Sequence, residues 1–282
     1  MGTKSFQRER RFLCGTSKNA ANYQEVEIYP MNGTEQSRTL DQELARAADL
    51  RRSSSKAQQN QNAKNARRLF RQLVNTNFTE EDTHTTQTYA PEYRPETEEQ
   101  AWADFRNFYR HIKEKCRARG LPKPECLAVM EWAEENQDTG QKAVAPHFHT
   151  ILRCELSRDE IESCWHRKGV RLGRVNTDRL QMDKNSLEAL ANYMLKYPKR
   201  KHRYFRSRGI KNPITPPPAD GKWTRRQVQK ICTDGRLYDP EFWAKKYPGW
   251  DLNEASASYN EFMGWHISLK LRRRGPYRGN RH

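Results

Sequence analysis

Apolar residues recur at three- and four-residue steps from Trp102 to Arg119: Trp102, Phe105, Phe108 or Tyr109, Ile112 and Cys116. This spacing predicts an amphipathic helix, and Gly120 ends it. Two short apolar runs follow, Cys126–Trp132 with one embedded acid and His147–Cys154. They predict strands, and the polar loop 133–145 between them makes an antiparallel pair the simplest arrangement. The Thr-rich run Thr83–Tyr89, stopped before Pro91, predicts another strand. Ser157 with Glu160 three residues on forms a capping box for a helix reaching about Arg167. Gly169–Val175 and His202–Arg208 are further candidate strands. Between them Ser186 opens a helix, Leu187–Tyr197, which Pro198 stops. The order β-α-β-β-α-β-α-β predicts an α+β fold with a central antiparallel sheet flanked by helices.

The flanks differ in composition. Residues 1–66 are polar, with a Ser/Gln/Asn/Lys-rich stretch from Arg51 to Asn65. They predict a flexible basic arm with a short helix near Leu40–Leu50. The Pro-rich run Pro213–Pro218 marks a boundary. The ordered domain is therefore expected over 67–215, followed by a basic region over 216–282. Trp223, Trp243 and Trp250 in that last region suit either stacking on bases or a small hydrophobic subdomain.

Charge narrows the choice of partner. Among 282 residues, 52 Lys and Arg face 35 Asp and Glu, a net charge of +17, which suits a polyanion and above all nucleic acid. Six scattered cysteines form no CxxC pair, so neither a zinc ribbon nor a disulfide framework is indicated. The chain offers no signal-peptide core and no apolar run of about 18 residues. A cytoplasmic protein with no membrane partner is expected. No GxxxxGK[ST] loop is present, so no nucleotide-driven motor is expected.

The candidate chemistry lies in three elements. His147 and His149 stand two apart on a predicted strand, so both imidazoles point to one face while Phe148 points to the other. Glu131 sits in the preceding strand and can lie beside them if the strands pair. Two imidazoles and a carboxylate can bind one divalent cation and leave positions open for substrate oxygens. On the last predicted helix, Tyr193 and Tyr197 share a face one turn apart, and Lys196 lies near it. A tyrosine beside an ammonium and a metal-polarised phosphate can act as a nucleophile.

The residues and their order resemble the His-hydrophobe-His (HUH) rolling-circle replication initiators of bacterial plasmids and single-stranded DNA phages. PHFHTIL at 146–152 is similar to their metal motif, Glu131 in VMEW to the third ligand position, and NYMLKY at 192–197 to the nucleophile motif. NTNFTEEDTHTTQTY at 75–89 resembles the first family motif, and YFRSRGIKNP at 204–213 the strand after the nucleophile helix. The resemblance covers roughly 67–215. It implies the HUH endonuclease fold and a Mg²⁺ or Mn²⁺ ion held by Glu131, His147 and His149. It also implies attack by Tyr193 on one DNA strand, leaving a 5′-phosphotyrosine and a 3′-hydroxyl primer. Lys196 is expected to position the metal-phosphate unit or stabilise its charge. Tyr197 matches the second tyrosine of two-tyrosine members, although Pro198 disfavours a helical backbone there. The implied partners are single-stranded or hairpin origin DNA, a host DNA polymerase and a separate helicase. The same residues also suit a mobilisation relaxase or a tyrosine transposase. A non-catalytic origin-binding repressor would leave the His/His/Glu/Tyr/Lys set idle. A basic RNA-binding or structural protein would leave the motif order unexplained.

Overall fold

A computed structural model describes residues 6–31, 56–133, 143–182, 187–194 and 204–275, the side chains of 56–61 excepted. The helix expected near Leu40–Leu50 lies outside these residues. The fold is α+β, with antiparallel sheets flanked by helices. Two compact units compose it. One is the continuous segment Asn77–Asp183 with Leu187–Lys211; the other gathers the described residues before and after that segment. The Asn77 side chain clasps the two ends of the segment, donating to the Lys211 carbonyl at 2.9 Å and accepting from the Lys211 amide at 2.8 Å.

The segment 77–211 carries a five-stranded sheet in the order β8-β3-β5-β4-β9, every pairing antiparallel. Its strands are β3 (Thr83–Thr88), β4 (Glu125–Ala133), β5 (Val144–Arg153), β8 (Val175–Arg179) and β9 (Phe205–Arg206). Strand alternation sends Phe148, Leu152, Cys126, Ala128 and Met130 to one face, all buried. Helix α2 (Glu98–Ala118) covers that face with Trp102, Phe105, Phe108, Tyr109, Ile112 and Cys116. Phe148 stacks on Phe105 with ring centroids 4.9 Å apart. Each large apolar side chain buried here contributes roughly 1.5–3 kcal/mol. The Thr97 hydroxyl accepts from the Gln100 amide to cap α2, with Glu98 and Glu99 in its first turn and Lys115 and Arg117 in its last.

The Ser157–Glu160 capping box opens a helix, α3, of Arg158–Glu162. It ends well before Arg167, where the sequence pattern put its end. Lys168 and Gly169 both take positive φ, 49° and 82°, so the chain turns into a two-residue hairpin, β6 (His166–Arg167) with β7 (Val170–Arg171). The strand expected over Gly169–Val175 is thus divided between β7 and β8. Gly173 passes close to β3: an added Cβ would lie 2.2 Å from the Thr88 carbonyl oxygen.

The N-terminal segment read as a flexible arm is built differently. Phe6–Cys14 (β1) and Tyr23–Met31 (β2) are strands, and α1 runs from Lys56 to Asn77 through the Ser/Gln/Asn/Lys-rich stretch. The polar C-terminal region contributes β10 (Ala219–Trp223), β11 (Trp250–Asn260) and β12 (Gly264–Arg273). These strands form a second antiparallel sheet, ordered β10-β1-β2-β12-β11. Ile28 pairs with Ile267 and Val26 with Leu269. One face packs on α5 (Arg225–Thr233) and α6 (Pro240–Lys246) through Val228, Ile231 and Trp243. Trp223, Trp243 and Trp250 are buried in this core, which settles them as packing residues. The sequence looked like an arm because β1 and β2 carry Gln, Glu and Arg. Their buried carboxylates are satisfied by donors that arrive from far along the chain.

Candidate active site

The face of the 77–211 sheet opposite α2 holds the candidate residues. Glu131 pairs directly with His147 across β4 and β5, and Thr86 of β3 pairs with His149 on the other side. Beyond Glu131 the register slips, so that Ala145 and Pro146 stand opposite Trp132. Proline has no amide for the ladder, and a bulge is where a strand tolerates it. The Ala145 carbonyl accepts from His147 Nδ1 at 2.8 Å. A carbonyl only accepts, so Nδ1 carries the proton and the lone pair of His147 sits on Nε2.

Three ligand atoms converge. Glu131 Oε2 lies 3.3 Å from His147 Nε2 and 3.5 Å from His149 Nε2, and the two Nε2 atoms are 3.2 Å apart. Neighbouring donors around one cation with bonds of about 2.1 Å stand roughly 3.0–3.4 Å apart. His149 is buried, while Glu131 and His147 are half-buried and leave one side open. Burial, and then the neighbouring His147 and His84, pull the His149 pKa down to about 3, so its ring is neutral near pH 7. A neutral imidazole is the ligating form. The Glu131, His147 and His149 group can therefore hold a metal ion, and its donor set, two imidazoles and a carboxylate, suits a divalent cation with open positions.

Sequence reasoning missed a third histidine. His84 stacks on His149 with ring centroids 5.4 Å apart and an interplanar angle of 13°. His84 Nε2 lies 3.3 Å and Thr86 Oγ1 3.4 Å from His149 Nδ1. If His149 held a cation through Nε2, its Nδ1 would carry the proton and could donate to one of these two. They fix the ring as partners behind metal-binding histidines do. Burial lowers the His84 pKa, which favours the neutral ring. The signal was in the alternation of THTTQT, where His84, Thr86 and Thr88 share one strand face.

Tyr193 lies on α4 (Glu188–Met194), which buries Ala191 and Met194 and leaves Tyr193 52% exposed. The Tyr193 ring meets His149 edge-on, with centroids 5.1 Å apart at 73°. The structure thus brings together Glu131, His147, His149 and Tyr193. Lys196 and Tyr197 lie outside the described residues.

Residues 82–201 match the family model for the replication-associated protein ORF2/G2P. That span contains Glu131, His147 and His149, His84 and the tyrosine helix. The match agrees with the resemblance drawn from the motifs and supports a replication initiator role with DNA as the partner. No curated protein and no solved structure matches the chain. No helix of the described residues is long and apolar enough to cross a membrane.

Proposed function

We propose that the chain is a single-strand DNA endonuclease and strand transferase that opens an origin for rolling-circle replication. The observation that carries this reading is the Tyr193 ring set against His149 of the Glu131/His147/His149 group. Those three side chains would hold Mg²⁺ or Mn²⁺. The ion would polarise a non-bridging phosphate oxygen and offset the charge that develops on it. Glu131 supplies the charged ligand, and Ala145 and His84 keep the two imidazoles aimed. The Tyr193 oxygen attacks phosphorus in line, a P–O(Tyr) bond forms and the P–O3′ bond breaks. The proton lost by tyrosine is balanced by the one gained by the 3′-hydroxyl. The phosphotyrosine retains the ester for later rejoining, so no nucleotide is consumed. Lys196 would stabilise phosphate charge, and Tyr197 would serve a second transfer. A host polymerase extends the 3′ end, and a separate helicase opens the duplex.

The test uses 3′-labelled single-stranded oligonucleotides tiled across the replicon, incubated with Mn²⁺ and resolved on a denaturing gel. A labelled fragment covalently attached to protein is expected. Tyr193→Phe should eliminate it, because the ring and its packing remain while the attacking oxygen is gone. Tyr197→Phe should leave first cleavage largely intact. Undiminished cleavage in EDTA would overturn the metal assignment, and an adduct mapped to Tyr197 alone would overturn the nucleophile. Binding without any adduct would point to an origin-binding repressor.

A further inference from the structure

The unit without the metal-binding group has a cleft of about 370 Å³ on the sheet face opposite its apolar core. Arg10 and Phe12 of β1, Glu27 and Tyr29 of β2, Arg68 of α1 and His266 of β12 line it. The guanidinium groups of Arg10 and Arg68 each lie 5.1 Å from the centre of the Phe12 ring. Arg68 is 3.5 Å from Glu27, a carboxylate that also takes His266 and the Ser268 hydroxyl. Exposed Arg10 makes no ion pair among the described residues. The β11–β12 hairpin reaches the cleft with its turn end, which supplies Met263 and Gly264 to the lining. At its tip Phe262 is 91% exposed and Tyr259 57% exposed. The tip is ordered: Asn260 Oδ1 accepts from the Phe262 amide at 2.9 Å and the Met263 amide at 3.0 Å.

We infer that this cleft receives one nucleotide of single-stranded DNA, with Phe262 at the adjoining tip stacking on a neighbouring base. The cleft offers the three things such a ligand needs. Arg10 is a cation open to a phosphate, and the half-buried Tyr29 ring gives the cleft an aromatic wall. The Glu27–His266 pair gives a polar edge for the hydrogen-bonding groups of a base. An apolar ligand would have to strip water from Arg10 and the ion pairs without replacing it. A bare phosphate would use neither the Tyr29 ring nor the volume. A large aromatic side chain held almost fully in water at an ordered tip has no packing role, whereas a base stacks on it at little entropic cost. The inference takes from the proposed function only that the substrate is single-stranded DNA.

The test measures binding of the full chain to a fluorescein-labelled mixed-sequence DNA 20-mer by anisotropy. EDTA is present, so no cleavage occurs and a failed nicking assignment does not affect the result. Phe262→Ala should weaken binding roughly tenfold at every salt concentration, the size of one lost stacking contact. Arg10→Ala should weaken it at low salt and reduce the salt slope by about 0.7, one phosphate contact to a single strand. Photocrosslinking with 5-iodouracil placed along the 20-mer should label the peptides holding Tyr29 or residues 259–266. Both residues are exposed, so either variant should keep the wild-type Tm. Affinities within twofold of wild type for both variants, or crosslinks confined to other peptides, would overturn the inference. A tighter complex with the RNA 20-mer of the same sequence would overturn the assignment to DNA.

Discussion

The two sheets bury carboxylates in opposite ways. In the sheet built from the chain's two ends, Glu9 accepts from Lys222 Nζ at 2.9 Å, Trp223 Nε1 at 2.7 Å and the Tyr247 hydroxyl at 2.8 Å. Glu25 accepts from Arg71 at 2.6 Å, Gln72 at 2.8 Å and the Tyr23 hydroxyl at 3.1 Å. In the 77–211 sheet Glu131 faces two imidazoles at 3.3 and 3.5 Å, one of them pulled toward neutrality. A carboxylate surrounded by donors is a strut. One set between two imidazoles can serve as a metal ligand. The number and kind of donors around a buried acid, more than its burial, separate the structural role from the chemical one.

The widest gap should appear in stability. Glu9→Ala leaves the buried Trp223 and Tyr247 donors without an acceptor and should cost about 3–5 kcal/mol. At two to four degrees per kcal/mol that lowers Tm by roughly 6–20 °C. Glu131→Ala in EDTA should stay within about 1 kcal/mol of wild type, in either direction. Equal losses in thermal unfolding of the two variants would break the comparison.

Metal should narrow the gap. Mn²⁺ at a hundred times its Kd should add about 2.7 kcal/mol to the wild-type protein. The gain should vanish in Glu131→Gln and His147→Ala. His84→Ala, with a Kd raised about 10–100-fold as for a residue that positions a ligand, should keep only roughly 0.4–1.4 kcal/mol of it at the same Mn²⁺ concentration. Calorimetric titration reads all four. Full Mn²⁺ stabilisation of Glu131→Gln would remove the cluster as the site.

The smallest effect is a pH dependence with opposite signs in the two sheets. For Glu27, burial pushes the pKa up, but the hydrogen bond and charge of His266, the charge of Arg68 and the Ser268 hydroxyl outweigh it. A depressed folded pKa stabilises above the unfolded value of about 4.3, and that share is lost as pH falls through the folded value. For Asp82, burial outweighs the Arg153 charge and the Thr79 amide, and the pKa is raised. Its penalty is fully present above the folded pKa and is relieved as pH falls toward about 3.9. Below neutrality Glu27→Gln should therefore lose less stability than wild type, and Asp82→Asn should lose more. Chemical denaturation across pH 3–7 separates them, and parallel curves would contradict both assignments.

What the sequence disclosed follows from range. The amphipathic α2, the β4–β5 pair and the Ser157 capping box are written in steps of two to four residues, and all three form. Glu131 and His147 could be placed side by side because a short polar connection joins their strands. His84 escaped notice because its contact with His149 depends on β3 pairing with β5 across more than sixty residues. The second sheet was harder still. Its strands read as polar because Glu9 and Glu25 meet their donors only after folding, and β2 finds β12 at the far end of the chain. The shortened α3 turned on Lys168 accepting a positive φ beside Gly169, which no apolar pattern encodes.

The interleaving of the two chain ends sets an order of assembly during synthesis. Ile28 cannot meet Ile267 until 239 further residues have been made. At about 5–20 residues per second, that wait lasts roughly 10–50 s. The segment 77–211 has all its sheet partners within itself, and its two ends are tied by Asn77 and Lys211. It can leave the ribosome and fold while β1 and β2 stand as a lone hairpin with unpaired edges, a state prone to aggregation. A chain stalled once residue 211 has cleared the ribosome would therefore present the segment 77–211 without its companion sheet, and the N-terminal hairpin would be the part that chaperones must hold.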